Sequence, residues 1–234
     1  MAKPERYYYG QGKIKIAEVI ANVVGAYSWV GDVSAFSVGF AEEKAAHQES
    51  YSGQRSKVRE FNISNDMTLN MTFHDFNAEN KARFTNGTVT DIATGTVTAE
   101  NLPNPVVVGT EYALANPGVS SVVITDSAGT PAVVPANHYT LDAAFGNLIF
   151  NSLPASPAFP FKVAYSYAAR SQLAFLNASQ KTYALKYEGV NLAEGGAPVI
   201  VELYRLSTGL MQELALITSG NALAGMQVSG SVLR

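Results

Sequence analysis

The chain has 234 residues, of which 47% are hydrophobic and 15% are charged, and this balance excludes an intrinsically disordered protein. The net charge of −3 argues against a surface built to grip nucleic acid, and the lack of cysteine excludes disulfides, zinc–thiolate sites and cysteine nucleophiles. The N-terminus lacks the apolar segment of a secretion signal and no stretch reaches transmembrane length, so we expect a cytoplasmic product that does not insert into membranes.

The first elements predicted along the chain are strands. Gly12–Ala17 is a short strand candidate, and Trp29–Val33 begins another. Phe36, Val38 and Phe40 then alternate with smaller residues, which continues the second strand.

The segment 41–60, called the arm below, interrupts this pattern with many charges of both signs. Its candidate contact residues are Glu42, Glu43, Lys44, His47, Glu49, Arg55, Lys57 and Arg59. Arg55, Lys57 and Arg59 alternate, which predicts that they share one face of a strand. The mixed sign favours docking on a complementary protein surface over nucleic acid, and a merely solvated hairpin is the alternative. A twenty-residue loop is unusual in a compact domain, so we expect an extended hairpin ordered by a partner.

The longest pattern in the chain is Phe61–Phe73, where apolar side chains fall on odd positions and polar ones on even positions. The apolar positions are Phe61, Ile63, Met67, Leu69, Met71 and Phe73, and only Asn65 breaks the alternation. The polar positions are Asn62, Ser64, Asp66, Thr68, Asn70 and Thr72. A period of two predicts a strand with one buried and one wet face, roughly 40 Å long and about twice the usual length. Because such a strand overhangs the core of a small chain, we expect a neighbour to cover it.

A single helix is predicted before the middle of the chain. It spans Asn77–Asn86, where Asp75 or Asn77 can cap its first turn and Gly87 can end it.

The middle of the chain has a different composition from its flanks. Residues 87–170 hold five acids, two bases and eight of the ten prolines. Short strand candidates separated by turn residues predict a small β-sandwich. They are Val106–Val108, Val119–Thr125, Ala132–Val134, Asn147–Phe150 and Phe161–Tyr167. We therefore predict an inserted domain at 99–170 within a core domain formed by 1–98 and 171–234.

The last part of the chain returns to strand patterns. Thr182–Glu188 and Pro198–Leu206 alternate well, and Met226–Leu233 closes the chain as a strand. Leu210–Ile217 fits either a short helix or a strand.

No arrangement of residues predicts catalysis, a cofactor or a metal. His47, His74 and His138 have no second histidine at helical spacing, and Glu42 and Glu43 point to opposite faces of a strand. His74 fits the end of a strand before a helix cap better than an oriented base. The sequence therefore predicts a protein that is not an enzyme.

Three blocks occur in the same order as in phage tail tube proteins. They are Tyr9-Gly10-Gln11-Gly12, Trp29-Val30-Gly31-Asp32-Val33 and His47-Gln48-Glu49-Ser50-Tyr51-Ser52-Gly53-Gln54-Arg55. Over residues 7–98, and more weakly over 171–234, the chain resembles the major tail protein of long-tailed siphophages. The resemblance implies a mostly β fold, a tail-tube-like β-sandwich or partial barrel with one short helix and a long hairpin arm. The insert is similar to the additional outer β domain of some tail tube proteins.

The resemblance also implies a function and partners. Subunits form hexameric rings that stack into a tube in the virion tail, assembled in the host cytoplasm, and DNA passes through the lumen without specific binding. Further partners are the tape measure protein and the tail terminator and distal tail proteins. The arm would connect stacked rings, and the even positions of Phe61–Phe73 would face the lumen.

Two other hypotheses for the function remain open. The first is a tube protein of a contractile injection or secretion machine. The second is a carbohydrate- or receptor-binding β-sandwich protein, in which tyrosines of the insert form the binding surface. Those tyrosines are Tyr112, Tyr139, Tyr165 and Tyr167.

Overall fold

The computed structural model describes residues 5–219 and 223–233. Strands account for 53% of the chain and helices for 6%, which confirms the predicted mostly β fold with one short helix. The strands are β1 (Gly10–Ile20), β2 (Val23–Val24), β3 (Ser28–Trp29), β4 (Val33–Gln48), β5 (Lys57–Phe73), β6 (Thr88–Ile92), β7 (Gly95–Asn101), β8 (Glu111–Ala113), β9 (Val119–Thr125), β10 (Tyr139–Asp142), β11 (Asn147–Phe150), β12 (Lys162–Tyr167), β13 (Arg170–Ala174), β14 (Thr182–Asn191), β15 (Ala197–Thr208) and β16 (Met226–Val232). The helix is α1 (Ala78–Phe84), and short 3-10 turns occur at Ala136–His138 and Leu192–Glu194.

The chain divides into two compact units, one formed by 1–89 with 173–234 and the other by 90–172. The predicted boundary after residue 98 falls inside β7, which pairs with β12 of the second unit. The change in charge and proline content itself begins at residue 87, which is closer to the boundary that the structure shows. Both boundaries of the structure lie within strands, β6 and β13, that pair with each other.

The first unit is built on one antiparallel sheet with the order β2-β1-β14-β15-β16-β5-β4, with β3 also on β1. Its inner face forms a single apolar core that includes Ile16, Leu69, Leu185 and Leu206, each fully buried. The ring of Phe36 on β4 stacks on Tyr187 of β14 at 5.6 Å. Because β4 and β14 are far apart in the strand order, this contact requires the sheet to curl around its core.

The two ends of the curled sheet are joined by a short piece of chain, residues 30–32. The amide of Val30 donates to the carbonyl of Ile14 on β1 at 3.1 Å, and the amide of His74 donates to the carbonyl of Asp32 at 2.9 Å. Gly31 lies between them with φ of +87°, a conformation that strains other residues, and an added Cβ would meet the side chain of Asp75 at 2.3 Å.

Helix α1 covers one end of this core. Asn77 caps it, since its side chain accepts a hydrogen bond from the amide of Asn80 at 2.7 Å. The helix ends at Phe84, shorter than the predicted Asn77–Asn86. Phe84 is 1% exposed and stacks on Phe73, which anchors the helix to the inner end of β5.

The β4–β5 hairpin is longer than the sequence predicted. β5 begins at Lys57, four residues before the predicted strand, and β4 runs through the charged segment to Gln48. The connecting loop is therefore residues 49–56, and the rest of the arm is strand. At about 3.3 Å per residue, the hairpin is roughly 50 Å long.

The second unit contains two three-stranded sheets, β10-β11-β8 and β7-β12-β9, around one core. Phe150 of the first sheet stacks on Phe161, which leads into the second, at 5.3 Å. Val119–Thr125 and Asn147–Phe150 are strands with the predicted bounds. Ala132–Val134 forms only an isolated bridge from Val133.

Two predicted elements are absent from the described residues. Val106–Val108 and Leu210–Ile217 form neither helix nor strand. Val106 is buried, but Leu216 and Ile217 are 81% and 94% exposed. In both segments the apolar residues follow no regular period, so composition alone suggested structure there.

Candidate functional site

The outer part of the β4–β5 hairpin carries large apolar side chains that its own unit does not cover. Phe40 is 78% exposed, Ile63 57% and Phe61 53%, and Tyr51 in the loop is 84% exposed. A two-stranded ribbon is marginally stable in water, and exposed apolar surface of this kind marks an interaction site. The odd positions predicted to be buried are therefore buried only from Leu69 inward.

One extra residue in β5 reverses the faces of the arm. Glu43 pairs with Ser64, but the next residue of β4, Lys44, pairs with Asn62, so Ile63 has no partner. Successive side chains of a strand point to opposite faces, so one inserted residue moves all residues beyond it to the other face. We call the two faces the core side, which carries Leu69, and the polar side, which carries Thr68 and Asn70.

Side-chain contacts follow the reversed faces. On the core side, Nζ of Lys44 lies 2.9 Å from a carboxylate oxygen of Glu42 and 3.6 Å from one of Glu60. On the polar side, the hydroxyl of Ser64 donates to the carboxylate of Glu43 at 3.3 Å. Even and odd residues of β5 therefore exchange faces at Ile63.

The predicted row of channel-facing residues is broken at this point. Asn62 lies on the core side, where its Nδ2 donates to Oδ1 of Asn65 at 2.6 Å. Phe61 takes its place on the polar side, opposite Ala45. The remaining predicted residues share the polar side: Ser64, Asp66, Thr68, Asn70 and Thr72.

The predicted shared face of Arg55, Lys57 and Arg59 is also wrong. A second extra residue, Val58, separates the pair His47–Arg59 from the next pair and returns Lys57 to the core side. There the ammonium of Lys57 forms an ion pair with Glu60. Arg55 lies in the loop, with φ of +50°.

The loop of the arm is closed by Glu49. Its carboxylate accepts a hydrogen bond from the hydroxyl of Ser52, and its amide donates to the carbonyl of Ser56 at 2.9 Å. The hydrogen bond from Ser52 is the main cause that lowers the pKa of the Glu49 carboxyl below its ordinary value. Glu49 is only 8% exposed, so it organises the loop and does not offer the free interface charge that the sequence suggested.

The polar side continues over β16 as a surface of small neutral side chains. Its members besides those of β5 are Ala35, Ser37, Gly39 and Ala41 on β4 and Gln227, Ser229 and Ser231 on β16. Glu43 on β4, opposite Ser64, adds an acid at the outer end of this surface. Asp66 is the one charged residue among these positions of β5 and their partners on β16. Between Ser64 and Thr72 these positions of β5 carry no lysine or arginine, so this part of the polar side offers no positive charge that would hold a phosphate.

The family described as "Protein of unknown function UCP028589" matches residues 7–234. The chain belongs to this family. No curated protein matches the sequence. The description of the UCP028589 family carries no activity or partner, so the roles of the arm and of the polar side in this member rest on their geometry.

Strands β1, β14 and β15 carry a charged surface that was not predicted from the sequence. Nζ of Lys15 lies 2.6 Å from Glu188, and Lys186 lies between Glu188 and Glu202 at 3.3 and 3.4 Å. The ammonium of Lys15 is the main cause that lowers the pKa of the Glu188 carboxyl. The signal was present in the sequence, because charges two residues apart on a strand share a face.

The histidines and acids of the described residues form no group of three or more that could hold a metal ion. Nε2 of His74 lies 2.8 Å from the hydroxyl of Ser34, and Nδ1 lies 3.0 Å from the carbonyl of Ala224. His74 thus ties β4 to the segment before β16. Within 5–219 and 223–233, no helix has the length and apolar character needed to cross a membrane.

Proposed function

We propose that this protein is a structural subunit that assembles with copies of itself into rings, and that the rings stack into the tube of a phage tail. The observation that carries the proposal is the arm. It is part of a two-stranded ribbon with exposed apolar side chains, and the described residues of its own unit provide no core for it. A second copy that covers the arm accounts for both properties.

The free edges of the sheet support assembly from identical copies. In the described residues β4 pairs only with β5, so its outer edge presents unpaired backbone groups along most of its 16 residues. The first residues of β1 pair only with β14. Open edges of this length promote pairing with another chain, and closure of sheets across subunits removes them.

The polar side supports a role as channel lining. A surface of serine, threonine and asparagine with acids but no lysine or arginine lets DNA pass without the ionic contacts that dominate protein–DNA affinity. On this proposal, Ser64, Asp66, Thr68, Asn70 and Thr72 face the lumen, and Asn62 does not. A ring of six, the tape measure protein and the terminator proteins follow from the family resemblance.

Electron microscopy of the purified protein tests the proposal. We expect rings or tubes of the full chain, and only single subunits after residues 43–57 are replaced by a short glycine-rich turn. Circular dichroism of the shortened variant should retain β structure, because the core of the first unit contains no residue of that segment.

A matched control removes a different exposed feature. Phe145→Ala changes a side chain of the second unit that is 70% exposed, and tubes should form as in the unchanged protein. Tubes of normal length without the arm segment would contradict the proposal. So would monomers alone from the full chain across a wide range of concentration and ionic strength.

A further inference from the structure

The polar side of the arm carries opposite charges at its two ends, an acid nearer the core and a base nearer the loop. Its middle pair is Ala45 with Phe61. Two residues along β4 towards the core lies Glu43, and two residues towards the loop lies His47, which pairs with Arg59. At about 3.3 Å per residue, the acid and the base stand roughly 7 Å on either side of the apolar centre.

The charges on the core side are satisfied within the arm. Glu42, Lys44, Glu60 and Lys57 form a chain of ion pairs there. By contrast, Arg59 forms no ion pair among the described residues, and Glu43 accepts only the hydroxyl of Ser64. The polar side therefore has an exposed aromatic ring and two charges that remain open to a partner.

We propose that two copies of this chain pair through the polar sides of their arms, antiparallel and related by a two-fold axis near Phe61. In that arrangement the two Phe61 rings meet, and Glu43 of each copy meets Arg59 of the other. Parallel arms would place like charges together, which is unfavourable. The order of acid, aromatic ring and base along the polar side therefore favours the two-fold contact, and the partner that fits it is a second copy of this chain.

This contact differs from the one that builds a tube. A two-fold contact uses the same surface on both copies and closes after two, so it cannot extend a polymer. It also covers Phe61 and so competes with any other use of the arm. The contact is formed by a few side chains of each copy, whereas stable complexes bury roughly 800 Å² per partner, so we expect a weak and concentration-dependent dimer.

Charge reversal tests the pairing by analytical ultracentrifugation at low salt, below the concentration at which larger assemblies form. We expect Glu43→Arg and Arg59→Glu each to weaken dimerisation about tenfold or more, because each puts like charges together twice. An equimolar mixture of the two variants should form dimers again, since each contact then joins opposite charges. Glu111→Arg, on an exposed strand of the second unit, should dimerise like the unchanged protein.

A second measurement is independent of larger assemblies. The chain has no cysteine, so Ala45→Cys introduces a single thiol close to the proposed axis. Mild oxidation should join two copies through it, and Thr140→Cys, an exposed position of the second unit, should not be joined. An unchanged protein that stays monomeric, a variant mixture that fails to dimerise, or equal cross-linking of both cysteine variants would overturn the proposal. Tube formation in the microscope is a separate readout, so failure of either proposal leaves the other standing.

Discussion

The rings of Phe73 and Phe84 are stacked with their centroids 4.8 Å apart and their planes 27° from parallel. This contact joins the last residue of the long strand β5 to the last residue of helix α1. It places the inner end of the hairpin in the buried core of the first unit, while the outer end carries exposed aromatic side chains. One strand thus serves both the core and the candidate assembly surface.

Truncation of this contact should be costly for folding. We expect Phe84→Ala to lower the free energy of unfolding by about 3–5 kcal/mol, because it opens a cavity in a packed core. Urea denaturation followed by circular dichroism measures the change. Phe145→Ala, at an exposed position, should change stability by less than about 0.5 kcal/mol. Equal effects of the two substitutions would contradict the packing described for α1.

Asn80 should matter more than the helix cap beside it. It is 2% exposed, and its Nδ2 donates to the carbonyl of Val30 at 2.7 Å. Asn80→Ala leaves that carbonyl without its donor and should cost about 1–3 kcal/mol. Asn77→Ala removes only the cap and should cost about 1 kcal/mol. Denaturation of the two variants side by side checks the order, and a larger loss from Asn77 would contradict it.

The predictable part of the fold is the part whose pattern reflects burial. Leu69, Met71 and Phe73 alternate with polar residues because one face of β5 lies on the core, and that alternation was visible in the sequence. Phe61 and Ile63 continue the same spacing without a core beneath them. The extra residue at Ile63 was therefore hidden, because the apolar spacing remained regular while the pairing with β4 shifted.

The closed loop of the arm should respond to acid. The pKa of the Glu49 carboxyl is lower in the folded state than in the unfolded state. Glu49 therefore stabilises the fold above its unfolded-state pKa, and this stabilisation is lost as the pH falls through the folded-state pKa. The protection of the Glu49 amide against exchange, measured relative to the intrinsic rate at each pH, should fall over that acidic range. Carbon NMR of the carboxyl group should show its pKa rise towards the ordinary value in Ser52→Ala. An unchanged titration in Ser52→Ala would show that the hydroxyl is not the cause.

The lack of lysine and arginine between Ser64 and Thr72 on the polar side predicts a direct effect on DNA passage, which rests on the proposed tube. Thr68→Lys with Asn70→Lys should slow genome ejection from assembled particles, because the new charges bind phosphates. The slowing should decrease at high salt, where such contacts weaken. Thr140→Lys in the second unit is the matched control. Ejection at the normal rate from particles with both lysines would count against the polar side as the lining.

The second unit should be dispensable for folding of the first. Replacing residues 90–172 with a short flexible linker should leave a soluble β protein, because the core around Leu185 and Leu206 contains no residue of that segment. The carbonyls of Thr85 and Asn86 already accept from the amides of Leu176 and Ala178 at 3.1 and 2.9 Å, so the cut ends lie close together. Circular dichroism and thermal unfolding check this result. Aggregation of the shortened chain would contradict it.

The candidate surfaces were predictable only in outline. Alternating charges in the arm indicated an exposed hairpin. The face on which each side chain lies could not be counted from residue numbers, because Ile63 and Val58 interrupt the pairing of the two strands. The role of Glu49 depends on a hydrogen bond within a turn, which residue type alone does not specify. Asn65, the one break in the alternation, lies two residues from the first of these irregularities.

The link of residues 30–32 limits how the sheet can change shape. Three residues span at most roughly 11 Å, so β4 cannot begin much farther than that from β3, which pairs with β1. At the opposite end, the described residues contain no such connection between β1 and β4. The curvature of the sheet is therefore limited at the rim that holds this link, and on the proposed assembly a neighbouring subunit would limit it at the other rim. An insertion beside Gly31 would be the simplest change that widens the rim that holds the link.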